Sequence, residues 1–220
     1  MKMTKLAVAV GALALSGAAL AEISANIGLT SNYVWRGQTQ TNNGPAISGG
    51  LDYAHASGFY AGTWASNVDF DADDPTTAEV DFYGGFSNEI GGLSYDVGVV
   101  YYAYPGGMDL DFTDVYGSLS VGPITAGVYY TVDKESGVDE NDVYYYVGAS
   151  TEIAPTWSLG GTVGFYDYDS GEEYKHAQID VGKSAGDFGD FTLSVSVLDD
   201  DDGLGLDGDP LVFVSWGKTF

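Results

Sequence analysis

The chain contains no cysteine, few basic residues and a single arginine among its 220 residues. Without cysteine, a disulfide scaffold and a cysteine-ligated metal centre are both excluded. Seven lysines and arginines against 32 acidic residues leave no basic surface for nucleic acid. The two histidines, His55 and His176, offer little for a zinc site or a catalytic triad. We therefore expect a protein that is not an enzyme.

The first 21 residues have the pattern of a secretory signal peptide. Lys2 and Lys5 precede an apolar run over residues 6–15, and residues 19–21 form a small-x-small cleavage site. We expect export, cleavage after Ala21 and a mature domain over residues 22–220. Loss of the two lysines leaves five basic residues against 32 acidic ones, a formal charge of −27.

After residue 21, no apolar run approaches the ~20 residues that a membrane-spanning helix needs. Apolar and polar residues instead alternate with a period of two, for example over residues 93–101 and 191–197. This alternation predicts about twelve strands. They cover residues 23–36, 46–54, 58–68, 78–88, 92–104, 112–121, 123–132, 141–151, 156–168, 173–184, 190–199 and 210–220.

The connections between these strands alternate in length and charge. Every second connection is short, as at residues 122–123, whereas most of the others are long and acidic, as at 69–76 and 199–209. Barrels of the bacterial outer membrane have short periplasmic turns, longer external loops and an even number of strands. A soluble β-sandwich gives no reason for acid in every second loop. The sequence therefore predicts an all-β, transmembrane, antiparallel up-and-down barrel.

The last predicted strand ends on an aromatic residue, Phe220. Val214 and Trp216 share its face, and Lys218 interrupts that face. Lipid offers no partner to a free backbone edge, so we expect this strand to pair with the first one, near Ile23. We also expect the barrel-assembly machinery to recognise this strand, and the Lys218 ammonium to reach the headgroups by snorkelling.

Several segments carry a family resemblance. Residues 31–41 (SNYVWRGQTQT), 45–53, 57–68 and 79–86 (EVDFYGGF) resemble blocks of the TorF-type porin family, which are exported proteobacterial proteins of the Gcw_chp type. The resemblance covers the mature chain and is strongest over residues 23–104 and at the C-terminus. It implies a porin architecture, but it brings no substrate and no catalytic residue.

A barrel of this size is wider than an eight-stranded barrel, whose interior side chains can fill, and narrower than a general porin. We therefore expect a narrow lumen whose selectivity depends on inward-facing charges. Arg36 could bridge opposite walls and form a constriction, or it could lie at a strand end and meet lipopolysaccharide phosphates. The alternation places these polar side chains inside: Asn26, Asn32, Arg36, Asp52, Asp81, Asp96, Asp114, His176, Gln178 and Asp180.

The charge of the mature chain predicts a passive channel that prefers cations. An acidic mouth concentrates cations and repels anions over about a Debye length, ~8 Å at physiological salt. The alternative is a closed structural or surface-interaction barrel whose acidic outer loops bind cations or lipopolysaccharide. Outer-membrane lipid, lipopolysaccharide and a small solute are the expected partners; the sequence indicates neither the solute nor the oligomeric state.

The acidic segment before the last strand partly matches a calcium-binding loop. Asp200, Asp202 and Asp209 fall at ligand positions of an EF-hand, but Leu198 occupies the obligatory first position. The segment therefore fails the motif, and only loose binding of Ca²⁺ or another divalent cation is expected there. We expect no other cofactor.

Cell fractionation distinguishes the predicted outer-membrane barrel from a soluble β-sandwich. We expect the protein to sediment with the outer membrane and to migrate differently on SDS gels before and after boiling, because a closed barrel resists detergent until it is heated. Recovery from the periplasm, with migration that boiling does not change, would contradict the barrel.

Overall fold

The computed structural model describes residues 22–70, 75–138, 140–200, 206 and 208–220. Among these residues, twelve antiparallel strands close into one barrel, as the alternation predicts, and β2 pairs only with β3 in a separate hairpin. The strands are β1 Glu22–Thr30, β2 Val34–Trp35, β3 Gln38–Thr39, β4 Ala46–Ala54, β5 Phe59–Asn67, β6 Ala78–Ile90, β7 Leu93–Ala103, β8 Phe112–Val121, β9 Ile124–Lys134, β10 Val143–Ala154, β11 Trp157–Asp167, β12 Glu173–Ser184, β13 Asp190–Asp199 and β14 Leu211–Thr219.

A 3-10 turn spans Gly186–Phe188, between β12 and β13. No helix in the described part of the chain is long and apolar enough to cross a membrane. The predicted signal peptide, residues 1–21, lies outside the described residues.

The barrel closes between β1 and β14. Asn26 pairs with Thr219 and Thr30 pairs with Ser215 across this seam. Ala25 and Phe220 exchange two backbone hydrogen bonds of 2.8 and 3.3 Å. The last strand therefore pairs with the first, as predicted, and the wall leaves no free edge at this seam.

Lys218 lies on the outer face near the end of this seam. Its ammonium group donates a hydrogen bond of 2.7 Å to the carbonyl oxygen of Asp187 and lies 5.0 Å from the Phe220 ring centroid. The Trp216 indole also donates to this turn, to the Phe188 carbonyl oxygen, at 2.7 Å. These two hydrogen bonds connect the 3-10 turn to the closing strand. The Lys218 ammonium thus has one of its hydrogen-bond acceptors within the same chain.

The two faces of the wall differ in polarity. On β13, the outward side chains of Phe191, Leu193 and Val195 are 40% to 47% exposed, whereas the inward Ser194 and Ser196 are 1% and 0% exposed. An apolar outer face around a polar interior is the arrangement that lipid requires of a barrel. The alternation in sequence therefore reports the two faces correctly.

The first predicted strand is too long. The alternation over residues 23–36 predicts one strand, but β1 ends at Thr30, and residues 31–45, which we call the inner hairpin, turn into the barrel. Arg36 and Gly37 link β2 to β3 with φ angles of 48° and 88°, as in two-residue type I′ turns. Side chains in the short strands of the hairpin alternate between two faces, as they do in the wall. The alternation of residue types therefore cannot show where the chain leaves the wall.

Interior glycines lie beside tyrosine rings of neighbouring strands. A Cβ atom on Gly127 would lie 2.5 Å from the Tyr146 ring, and one on Gly62 would lie 2.5 Å from the Tyr83 ring. These rings therefore rest on the wall over backbone that carries no side chain, as in aromatic rescue of glycine.

Alanine at Gly127 should destabilise the barrel. We expect a loss of about 1–3 kcal/mol in the free energy of unfolding, because the Tyr146 ring has to move away from the added methyl group. Gly117 is the matched control, because it lies on the outer face with its nearest atom 3.7 Å from an added Cβ. Gly117→Ala should change stability by no more than about 0.5 kcal/mol. Urea unfolding of both variants in detergent measures the difference, and equal losses would contradict the packing argument.

Candidate functional site

The inner hairpin crosses the barrel at the end where the long connections lie, which we call the loop end. It starts from β1, and its tip reaches the far wall. The Arg36 guanidinium lies 2.8 Å from a carboxylate oxygen of Asp114 on β8. The Arg36 carbonyl oxygen accepts a hydrogen bond of 3.0 Å from the Tyr174 hydroxyl on β12. In the order of the closed barrel, β8 lies beside β9, the strand opposite β1, so the contact with Asp114 shows that the hairpin reaches across the barrel.

Arg36 is enclosed by aromatic rings. Its guanidinium carbon lies 4.0 Å from the Trp35 ring centroid, 4.6 Å from those of Tyr129 and Tyr144, and 5.4 Å from that of Tyr166. The Arg36 side chain is 6% exposed and that of Asp114 is 0% exposed. A buried ion pair is stable only when its remaining hydrogen-bonding positions are satisfied. Here the ring faces cover the cation.

A second set of contacts holds the base of the hairpin. The Tyr33 hydroxyl donates a hydrogen bond of 2.9 Å to Glu79 on β6, and the Tyr33 ring meets that of Trp64 edge-on at 5.5 Å. Burial, followed by the negative charges of Glu79 and Asp81, raises the pKa of the Tyr33 hydroxyl well above its usual value. The Tyr33 hydroxyl is therefore the donor in this hydrogen bond, and Glu79 is the acceptor.

His176 supports the site from β12. Its Nε2 atom and the Tyr144 hydroxyl are 2.8 Å apart, and the two rings stack with centroids 5.8 Å apart. The hairpin passes so close that a Cβ atom on Gly37 would lie 2.6 Å from the His176 Cβ. Position 37 therefore has room only for glycine. The hydrogen bond with His176 holds the Tyr144 ring against the wall.

The interior carboxylates fall into two groups. Asp114, Glu79 and Asp81 lie near the hairpin and are each no more than 2% exposed, and one oxygen of Asp81 has no hydrogen-bond partner among the described residues. A second group, Asp52, Asp96 and Asp180, lies closer to the end with the short connections, the turn end.

The carboxylates of this second group bind neutral groups. Asp52 accepts from the Asn26 amide at 3.2 Å and from the Tyr83 hydroxyl. Asp96 accepts from a tyrosine hydroxyl at 2.7 Å, and Asp180 accepts from a glutamine amide and a serine hydroxyl. Among the described residues, none of these three carboxylates lies in an ion pair.

The structure brings some of the sequence-predicted residues together and separates others. Arg36, Asp114 and His176 meet at the tip of the hairpin, and Asn32 lies within the hairpin, where its amide donates to Asn43 at 2.9 Å. Glu79 is not among the residues predicted from the sequence, although it stands two positions before Asp81 and therefore on the same face. The aromatic rings around Arg36 were not predicted either, because they come from four separate strands.

The metal-binding prediction stays a prediction. Asp202 lies outside the described residues, and a carboxylate oxygen of Asp200 accepts a hydrogen bond from the Leu206 amide at 3.1 Å. In the described ranges, no three acidic, histidine or cysteine side chains come together as metal ligands.

Removing the negative charge of Asp114 should destabilise the barrel strongly. Asp114→Asn leaves the buried Arg36 guanidinium without a counter-charge, and we expect the free energy of unfolding to fall by about 3–5 kcal/mol. The control is Asp199→Asn, because Asp199 pairs with Lys175 at 3.0 Å on the exposed outer face. That variant should lose at most about 1 kcal/mol. Urea unfolding in detergent compares them, and similar losses would contradict a structural role for the buried pair.

Three solved porin structures are similar to this barrel. The KdgM porin superposes with a TM-score of 0.61 at 7% identity, over 90% of this chain and 98% of that chain. The KdgM porin in complex with disordered oligogalacturonate gives 0.57 at 7% identity, over 91% and 98%. The NanC porin gives 0.51 at 12% identity, over 90% and 98%. At these identities the similarity shows the fold alone.

The curated proteins contain no match to this chain. Residues 14–205, most of the sequence, match the family described as "Bacterial protein of unknown function (Gcw_chp)". The fold is that of the porins, and the chain belongs to the Gcw_chp family.

Proposed function

We propose that this protein is an outer-membrane channel for the passive diffusion of small solutes and that it prefers cations. The charge of the barrel interior carries the proposal. Carboxylates face inward along the height of the wall, at Asp52, Glu79, Asp81, Asp96, Asp114 and Asp180.

The cations close to these carboxylates are already neutralised. Asp114 pairs with Arg36, and Lys134, near the loop end, pairs with Asp142 at 2.7 Å. The remaining interior charge is therefore negative. In a narrow lumen with low-dielectric walls, such charge raises the local concentration of cations and opposes the entry of anions.

The turn-end half of the lumen suits the passage of hydrated solutes. Its inward positions are rich in glycine and hydroxyl groups, and tyrosine rings such as that of Tyr60, beside Gly85, rest on the wall. The inner hairpin narrows the loop-end half, so we propose that it forms the constriction of the channel. We also propose, from the sequence resemblance, that this protein is a porin of the TorF type.

The structural neighbours support the architecture but do not supply the solute. One KdgM structure contains an oligogalacturonate, which is a polyanion. An interior with the carboxylates described above would repel such a chain. We therefore carry over the barrel and the idea of passive diffusion, and we assign this protein a solute of the opposite charge.

A closed barrel is the second candidate, and one observation favours it. The inner hairpin and the rings of Tyr102, Phe112, Tyr144 and Tyr166 fill the loop end of the interior. In that case the acidic outer loops would bind divalent cations or lipopolysaccharide, with loose Ca²⁺ binding near Asp200, Asp202 and Asp209. Conductance distinguishes the two candidates.

The reversal potential in a KCl gradient across a planar bilayer tests the proposal. We expect the sign of a cation-preferring channel, and a shift towards zero in the variant Asp52→Asn/Asp96→Asn/Asp180→Asn, because it removes carboxylates that have no cationic partner. The outward-facing Asp199→Asn is the control and should leave the potential unchanged.

Two results would contradict the proposed function. A potential with the sign of anion preference would exclude the predicted selectivity. Protein that shows heat-modifiable migration, inserts into bilayers and yet gives no conductance steps would favour the closed barrel.

A further inference from the structure

The surroundings of Arg36 have the composition of a binding cage for an organic cation. We propose that Asp114, Tyr129, Tyr144 and Tyr166 form a subsite for the guanidinium group of a solute, and that Arg36 is its tethered occupant. This inference rests on the proposed function and names a class of solute for it.

The cage belongs to the wall and not to the hairpin. Its members come from the four consecutive strands β8 to β11, which face β1 across the barrel. They are also supported independently of Arg36. Thr131 donates a hydrogen bond of 2.7 Å to the second carboxylate oxygen of Asp114, and His176 bonds to the Tyr144 hydroxyl. The site would therefore keep its shape after the Arg36 side chain leaves it.

The geometry favours a guanidinium group over a simple ion. The one Asp114 oxygen that Thr131 does not bind lies 2.8 Å from a guanidinium nitrogen, as in a charge-assisted hydrogen bond. The wall rings lie 4.6 to 5.4 Å from the guanidinium carbon, within the range of cation–π attraction. Guanidinium is planar and weakly hydrated, so it can stack on rings while it donates to a carboxylate. An ammonium group is more strongly hydrated and has no planar face to stack on a ring, and K⁺ has no hydrogen to donate.

The inner hairpin takes no part in the hydrogen bonding between wall strands. Its own ladder, between β2 and β3, is separate from the ladder of the wall. The hairpin tip can therefore move without breaking any hydrogen bond between wall strands. A solute guanidinium that replaces Arg36 would thus widen the constriction.

Calorimetric titration with methylguanidinium tests the cage in the refolded full-length mature chain in detergent. We expect Arg36→Ala to bind methylguanidinium at least about tenfold more tightly than the wild type, in which Arg36 competes. Arg36→Ala/Asp114→Asn should bind at least about tenfold more weakly than Arg36→Ala, because the carboxylate charge is gone. Methylammonium should bind Arg36→Ala more weakly than methylguanidinium does.

Three results would overturn the inference. They are no binding to Arg36→Ala, equal affinity in the double variant, and equal affinity for methylammonium. Heat-modifiable migration checks that each variant is folded. If Arg36→Ala does not fold, Arg36→Lys keeps a cation on the hairpin and should show an affinity between those of the wild type and an empty cage. An affinity in Arg36→Lys equal to that of the wild type would then overturn the inference.

A separate measurement, the reversal potential of Arg36→Ala in a KCl gradient, tests the proposed channel function. Cation preference without methylguanidinium binding overturns the cage and leaves the channel. Methylguanidinium binding without conductance supports the cage and overturns the channel.

Discussion

Every backbone amide in a lipid-facing wall has to find its partner within that wall, and the pairing of β14 with β1 completes this requirement. The two hydrogen bonds between Ala25 and Phe220 end the ladder at the seam. Once the ladder is closed, each side chain has only two directions, towards lipid or towards the interior. The polarity of the two faces follows from this closure.

Closure also confines the polar side chains to one enclosed volume, where they have to satisfy one another. Near the loop end, the charge of Arg36 is balanced by Asp114 and covered by rings, so the hairpin tip is fixed to the far wall. Near the turn end, Asp52 and Asp180 accept hydrogen bonds from amides and hydroxyls and lie in no ion pair among the described residues. In the proposed channel, the hairpin tip, where Arg36 and Asp114 balance each other, forms an aromatic constriction, and the selectivity depends on the acidic vestibule towards the turn end.

The alternation of residue types was sufficient to predict much of this fold. Strand positions, the inward orientation of Asp81 and Asp96 and the closing strand all follow from a period of two, because successive side chains of a strand point to opposite faces. The end of the first strand was wrong because the inner hairpin alternates in the same way as the wall. Glu79 shows a different kind of omission. Its parity with Asp81 was visible, but its contact with Tyr33 depends on a hairpin that no local pattern reveals.

The sequence by itself determined the strands, the two faces of the wall and the negative charge of the mature chain, because each depends on neighbouring residues or on composition. Only the tertiary structure decided that Arg36 meets Asp114, which lies 78 positions further along the chain. That contact requires the wall to curve until β8 to β11 face β1, and it requires the hairpin to turn inwards. Both depend on closure of the whole ring, so no segment of the sequence contains the information alone.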